Sequence, residues 1–573
     1  MIELGFEDNI DILNQYKSIH KRKTNDYKLF LNDNVDNRRK DQFWDTIVIT
    51  AIDDQQKDYY ELVLREKIKV NEIPSFIEYI VISDPKGYKI GCGGSTIYVL
   101  SILKEKLGAK FDKSKILLLH AGGYSKRLPN HSMTGKIFAS IPYTLVDDGP
   151  TCSMLEMKLI MLIDIPKKMK PGVFLACSDD IEIFDSWDIE FKVDNGFIAI
   201  AQPGTLDIGT GHGVFVLEEL NNFKQNSLNL CKKFIHKPTK EKMALENAIL
   251  SNGLVLMDSC YYFDHNISSL LLQYYSENNP IKVEIDAYSD FLQPIGKDAK
   301  PDYFHSKNNV TTFTPEIAIE REKLFKLLND NQCKLYMIPY IPSTFIHIGT
   351  CHEYIEHFTN NFNKLGFKRI LYSLVNNNND DSGLLKEVTI LHSIIKSKNS
   401  SIQSNSVIEY CKFTNINLSI GSRCILSDLE NDDNNHNNNN EQCLEINIPS
   451  NTFIQTQCVS DKYVTIVFGI DDNLKSTTKP LTIFNQPIEN LFKTNPIQFD
   501  SETHSLWNAS IFPICDSPSK SLFASLNLFF NHVKSNQQQH QLYSIERCLM
   551  EKNLAKQYQR RLNLTKEIKN NKK

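Results

Sequence analysis

The 573-residue sequence contains no apolar run approaching the ~18 residues that a membrane-spanning helix needs, so a transmembrane architecture is not expected. Its first residues, Met1-Ile2-Glu3-Leu4-Gly5-Phe6-Glu7-Asp8, carry neither a basic patch nor an apolar core. That favours an unsecreted, cytoplasmic protein. Thirteen cysteines are scattered without one C-x-x-C pair. An odd set of this kind excludes a disulfide framework or zinc finger as the organising device and suits reduced thiols. Charge of one sign is lacking too: 64 basic against 69 acidic residues leave a net charge of −5. Neither nucleic acid nor an anionic membrane meets a general attractive field, so phosphate recognition has to be local and the expected partners are small molecules. Nothing in the composition sets an oligomeric state.

What is present is enough apolar residue, 41%, to bury more than one core, and two or three domains are expected. Residues 7 to 32 read as polar helix, giving an N-terminal helical arm over 1–45. From Thr46, short β-branched runs alternate with helical periodicity: Ile47 to Ile52, Tyr79 to Ser83, Ile116 to Ala121 and Val173 to Cys177 as strands, with helical stretches between them. This predicts an α/β domain over 46–400 with a mostly parallel sheet, whose ligands sit beyond the carboxyl ends of the strands. Past residue 400 short apolar steps and glycine corners, as in Val407 to Phe413 and Ile416 to Leu426, predict a β-solenoid (parallel β-helix) domain over 401–530. An asparagine-rich insertion at 429–442 interrupts it, and the run Asn376 to Asp381 resembles that tract; both are expected to be disordered. A charged helical tail over 531–573 closes the chain.

The chemistry concentrates in Leu119-His120-Ala121-Gly122-Gly123-Tyr124-Ser125-Lys126-Arg127-Leu128-Pro129, followed by Gly135-Lys136-Ile137-Phe138. A strand opening into glycines lets backbone N–H groups approach phosphate oxygens, and a following helix N-terminus adds a positive dipole. Arg127 offers a planar fork for non-bridging oxygens and Lys136 a compact charge. A surface turn beside a basic helix is the plainer alternative, but strand, glycines, Arg and Lys in order within about 20 residues favour a triphosphate site. A second glycine loop, Gly91-Cys92-Gly93-Gly94-Ser95-Thr96, also joins a strand to a helix; Gly93, Gly94 and Ser95 form either a cradle for another part of the nucleotide or the sugar phosphate, with Ser95 or Thr96 capping the helix, or a plain structural turn. Gly209-Thr210-Gly211-His212-Gly213 is a weaker case, with Gly211 a backbone contact to base or sugar or part of a tight turn. His347 and His352 lack a third close ligand and read as core or surface histidines.

The stretch 119–138 resembles the G-G-x-G-x-R-L … P-K signature of sugar nucleotidyltransferases, with Gly122, Gly123, Arg127, Leu128 and Lys136 on the pattern. Ser125 stands at the third glycine and Gly135 at the proline. Within that superfamily the chain resembles the fucose-1-phosphate guanylyltransferase (GDP-L-fucose pyrophosphorylase) family. The likeness runs through Ile90 to Thr96, Ala121 to Phe138, Val467-Phe468-Gly469-Ile470-Asp471-Asp472-Asn473-Leu474-Lys475, Leu506-Trp507-Asn508-Ala509 and Phe512-Pro513, from about residue 46 to about 530. It implies a Rossmann-like, GT-A type domain and the substrates GTP and L-fucose 1-phosphate. It also implies Mg²⁺ on Asp179 of Ser178-Asp179-Asp180, and Lys237 of His236-Lys237-Pro238 holding the sugar phosphate. A second carboxylate is expected from Glu284-Ile285-Asp286-Ala287-Tyr288-Ser289-Asp290, where alternation puts Glu284, Asp286 and Asp290 on one face; Asp290 is preferred, with the others open.

The expected reaction is an in-line attack of a sugar-1-phosphate oxygen on the α-phosphorus of the nucleotide, expelling pyrophosphate without a covalent enzyme intermediate. The alternatives are another sugar-1-phosphate nucleotidyltransferase, for instance one using mannose 1-phosphate or UTP, a catalytically silent regulatory homologue, or a sugar kinase. The glycine- and serine-rich loop of sugar kinases is absent from the sequence.

Overall fold

The computed structural model describes residues 10–31, 40–186, 189–220, 223–308, 310–375, 387–397, 399–431, 444–492, 496–530 and 540–572. The asparagine-rich runs, apart from Asn431 and the flanking residues 429–430, lie outside them. The chain forms two compact units, one made of residues 1–122 and 155–346 and the other of 123–154 and 347–573. The division therefore falls at 346/347 and not at 400, and the segment 123–154 joins the second unit.

The first unit is built on nine strands: β1 (Thr46–Ala51), β2 (Glu78–Ser83), β3 (Lys115–His120), β4 (Gly172–Cys177), β6 (Gly196–Gly204), β7 (Gly213–Leu217), β8 (Asn229–His236), β9 (Val255–Asp264) and β10 (Lys334–Pro339), with β5 (Asp180–Phe184) outside the sheet. Their order is β2-β1-β3-β4-β9-β6-β10-β8-β7. The first four are parallel, as the unbroken apolar runs predict. Beyond β4 the sheet is mixed, because β9 lies antiparallel to both β4 and β6, and β8 antiparallel to β7 and β10. The expected mostly parallel sheet is thus correct for the half that ends in the glycine turn and incorrect for the rest. Ile116 and Leu118 of β3 face helix α3 (Gly91–Leu107) and the helix His265–Asn278, and Leu117 and Leu119 are equally buried on the other side. Each such side chain contributes roughly 1.5–3 kcal/mol of transfer free energy.

The N-terminal helix α1 (Ile10–Lys28) is not a loose arm. Arg22 grips both carboxylate oxygens of Asp164 at 3.0 and 2.8 Å, and the wholly buried Lys23 donates to the Met161 carbonyl at 2.5 Å. Burial pushes the Lys23 ammonium down to about 8. The polar residues that made this helix look detached are its anchors.

The second unit carries parallel pairings that begin at an offset of 20 residues, Ser373 with Ser393, and then repeat at 18: Val388 with Ser406, Val407 with Ile425, Ile394 with Lys412, and Asn399 with Asn417. Across the asparagine tract the offset grows to 28, in Ile425 with Phe453 and Ile416 with Leu444. The pairing thus continues in the same strand order at an offset ten residues longer. The pairing then turns antiparallel, Thr452–Val459 against Lys462–Gly469.

The helix Leu554–Lys572, within the expected charged tail, is part of this unit. Its Arg561 donates to both oxygens of buried Asp428, at 2.8 and 2.6 Å. Burial alone would raise the Asp428 carboxyl, but Arg561 outweighs it and holds the group below its ordinary value. Arg561→Met strands that charge, so we expect a loss of about 3–5 kcal/mol in urea unfolding. An unchanged midpoint would contradict the pairing.

Candidate active site

The glycine turn begins where β3 ends. Ala121 and Gly122 both donate their N–H groups to the Thr50 hydroxyl, at 3.0 and 3.1 Å, which ties the turn to the end of β1. Tyr60 donates to the Ala121 carbonyl at 3.0 Å from helix α2 (Asp54–Lys69). Gly123 has φ +122, a left-handed value that strains any residue with a Cβ. Gly122 is exposed and Gly123 half-buried, so backbone at this strand end is accessible.

From Gly123 onward the segment belongs to the second unit. The helix expected after the glycines does not form: Pro129 and Gly135, the latter at φ +72, bracket short 3₁₀ turns at Pro129–His131 and Lys136–Phe138. Met154–Met161 is the next α-helix, so no helix dipole serves the turn. The segment is instead pinned by side chains. Asn130 donates to Glu409 at 3.0 Å, Tyr354 to the same carboxylate at 2.8 Å, and Gln455 to the Asn130 carbonyl at 3.1 Å. The Arg127 carbonyl accepts from Cys351 N at 3.0 Å, and its side chain is exposed; Ser125 is half-buried, its carbonyl accepting from Leu128 N at 3.0 Å. Lys136 is half-buried, and its charge reaches His131, which burial lowers to about 4. Lys126 lies over the Trp507 ring at 5.0 Å, and Trp507 N donates to the Leu474 carbonyl at 3.0 Å. Three of the segments that carry the family likeness therefore meet within this unit.

In the first unit a polar cluster lies past the ends of β3, β4 and β8. Asp179, half-buried, follows β4, and its charge acts on Cys177. Cys177 contacts the Tyr288 hydroxyl at 3.2 Å, and Tyr288 donates to the Ser259 carbonyl at 3.0 Å. Asp286 faces the same cluster. Its Oδ1 accepts from Tyr288 N and Ser289 N at 3.0 and 2.7 Å, and its Oδ2 lies 3.6 Å from the Cys92 sulfur. Burial, with Asp286 beside it, pushes the Cys92 thiol well above its ordinary value, so it is no nucleophile. Asp258 accepts from Gly213 N at 2.9 Å, and burial raises it to about 7, with Asp286 adding and Lys237 opposing. Lys237 sits at φ +47 and donates its N–H to the His212 carbonyl at 2.8 Å. His120 and His236 are each lowered to about 4 by burial, against the pull of Asp286.

Several expected assignments change here. Asp290 is fully buried and occupied, its Oδ1 by Arg321 Nε at 3.0 Å and its Oδ2 by Asp286 N at 2.8 Å, which leaves no face for a cation. The alternation that placed it beside Asp286 fails because the chain turns at Asp286 into the short helix Ser289–Leu292. Glu284 is likewise engaged, with Lys89 at 2.7 Å and Thr311 N at 2.6 Å. Asp180 is buried against Lys158, with Glu182 alongside. The loop 91–96 is the first turn of α3 and not its lead-in. Gly93 N donates to the Ile285 carbonyl at 2.8 Å, and a Cβ there would lie 2.7 Å from the Ile285 side chain. Gly93 and buried Gly94 thus serve close packing, and Ser95 caps no helix: the N-cap is Ile90, without a side-chain bond. Gly211 lies exposed in a turn after Leu206–Gly209.

A model of the fucose pyrophosphorylase domain matches residues 108–517. The chain belongs to the fucose pyrophosphorylase family. The fucose-1-phosphate guanylyltransferase of Mus musculus is 35% identical over 93% of this chain and 94% of its own, and that of Homo sapiens 35% over 90% and 89%. A bifunctional fucokinase/GDP-fucose pyrophosphorylase from Arabidopsis thaliana is 26% identical over 82% of this chain and 47% of its own. The family match spans the boundary between the units, from before the glycine turn to past the 18-residue ladder.

Sequence reasoning passed over Asp258, His120 and His236 as members of this polar cluster. The signal was there in each case: an acid inside the apolar run Val255 to Phe263, and a histidine closing each of the strands β3 and β8.

Proposed function

We propose that this chain transfers the guanylyl group of GTP to L-fucose 1-phosphate, giving GDP-L-fucose and pyrophosphate. The reading is carried by the glycine turn at the carboxyl end of β3, with Arg127 and Lys136 following it, in a chain that aligns along nearly its whole length with relatives named for that reaction. A phosphate oxygen of the sugar phosphate attacks the α-phosphorus of GTP in line, the α–β bridging bond breaks, and pyrophosphate leaves. The family resemblance assigns the Arg127 guanidinium to the charge growing on the leaving group, and Lys136 and Lys237 to the reacting phosphates.

Asp179 and Asp286 are the carboxylates that suit Mg²⁺, which is commonly held by one or two acids and completed by substrate phosphates and water. Both are half-buried, whereas Asp180 and Asp290 are taken up by Lys158 and Arg321. Among the described residues no group of three or more His, Cys, Asp or Glu side chains is arranged to hold a metal. When bound, the ion polarises the attacked phosphate. The 18-residue ladder of the second unit is read as successive coils of a parallel β-helix, and the mixed sheet of the first as a GT-A type nucleotidyltransferase core.

The purified protein with GTP, L-fucose 1-phosphate and Mg²⁺ should form pyrophosphate and GDP-L-fucose in equal amounts. Release of a nucleoside diphosphate with free L-fucose as acceptor would instead mark a kinase.

A further inference from the structure

A cavity of about 310 Å³ opens at the carboxyl ends of β1 and β2, lined among others by Ile52, Asp53, Asp54, Asp84 and Tyr88. It starts beside the glycine turn: the Ile52 nitrogen lies 3.3 Å from the place a Cβ on Gly122 would occupy. The two strand exits are joined by Asp84 N, which donates to the Ala51 carbonyl at 2.9 Å.

The three acids of this cavity are differently engaged. Asp53 caps α2 through Gln56 N at 2.7 Å. Asp54 accepts from the Ser83 hydroxyl at 2.7 Å and pairs with Lys86 at 3.0 Å. Asp84 is bonded by the Ser95 hydroxyl, yet its Oδ1 is buried with no hydrogen-bond partner among the described residues. Burial pushes this carboxyl up to about 6, with Ser95 opposing. A buried acceptor left without a donor costs about 1–3 kcal/mol, which a ligand donor would recover. Tyr88, 45% exposed, supplies an aromatic face at the same cavity.

We propose that this cavity takes the guanine base, its N1–H and 2-amino group donating to the Asp84 carboxylate while the Tyr88 ring packs on the purine face. The proposal rests on the guanylyltransferase reading and adds the residue that selects the base. Guanine is the common nucleobase with two adjacent donors on this edge. Adenine presents an acceptor at N1, and uracil flanks its N–H with two carbonyls, so both bring lone pairs against the carboxylate. Stacking on an aromatic ring adds about 1–3 kcal/mol with little regard to the base, so selection falls to Asp84.

The test is equilibrium binding of GDP, IDP and XDP by calorimetry, with wild-type protein and Asp84→Asn, beside pyrophosphate release from the matching triphosphates. IDP lacks the 2-amino donor and XDP carries a carbonyl there. Wild-type protein should bind GDP about 10- to 100-fold more tightly than either, the scale of a hydrogen bond to a charged group. Asp84→Asn should erase that preference and improve XDP relative to GDP, since its amide donates to the 2-carbonyl. Tyr88→Ala should weaken all three alike. Equal binding of GDP and IDP by the wild type, or an unchanged ratio in Asp84→Asn, overturns the proposal. If Asp84→Asn does not fold, the wild-type ratio decides alone. Selective GDP binding without any turnover would uphold the cavity assignment and refute the guanylyltransferase reading, so the two fail separately.

Discussion

Arg127→Ala lowers pyrophosphate release from GTP and L-fucose 1-phosphate by about 10²- to 10³-fold while the melting temperature stays at the wild-type value. The rate effect follows from where charge moves in the reaction. As the α–β bond breaks, negative charge accumulates on the leaving pyrophosphate, and a preoriented cation there contributes roughly 2.7–4 kcal/mol to lowering the barrier. The stability effect follows from geometry. The Arg127 side chain is exposed, and its anchoring runs through the backbone carbonyl to Cys351 N, which the substitution keeps. Arg127→Lys should recover only part of the rate, because an ammonium lacks the two-pronged fork for non-bridging oxygens. A variant as fast as the wild type would remove Arg127 from the reaction.

Asp179→Asn and Asp286→Asn abolish the Mg²⁺-dependent rate, each by several kcal/mol of lost charge stabilisation, on the order of 10³ in turnover. Both substitutions keep side-chain shape, and in Asp286→Asn the amide retains an oxygen for Tyr288 N and Ser289 N. Asp290→Asn behaves differently. It removes the carboxylate facing Arg321, itself 1% exposed, and leaves that guanidinium buried without its counter-charge. Its expected signature is a loss of about 3–5 kcal/mol in stability, with the Mg²⁺ dependence of whatever protein remains folded unchanged. Mg²⁺ titrations of the rate, read beside urea unfolding, separate these outcomes. A wild-type Mg²⁺ response in Asp179→Asn would contradict its role.

The parts of this structure legible in the sequence are those where local pattern and tertiary environment agree. Ile116 to Leu119 is uniformly apolar because both faces of β3 are covered, and Gly123 after it, at φ +122, marks a turn that strains any residue with a Cβ. What was hidden depended on partners distant in the chain. Lys23 reads as a solvated helix residue until Met161 and Asp164 are placed against it. Asp290 and Asp286 are equivalent by alternation, and only Arg321, 31 residues away from Asp290, distinguishes them. The glycines of 91–94 carry a phosphate-loop pattern but answer to the close passage of Ile285 against the first turn of α3. The 18-residue period was obscured because the tract inserts ten residues into one of few repeats.

The most direct measurement is a matrix of the four nucleoside triphosphates against a panel of sugar 1-phosphates with Mg²⁺, scored by pyrophosphate release. The account predicts one dominant signal, at GTP with L-fucose 1-phosphate, which disappears in Arg127→Ala. No pyrophosphate from any pairing by folded wild-type protein, or a maximum at another nucleotide, would contradict it.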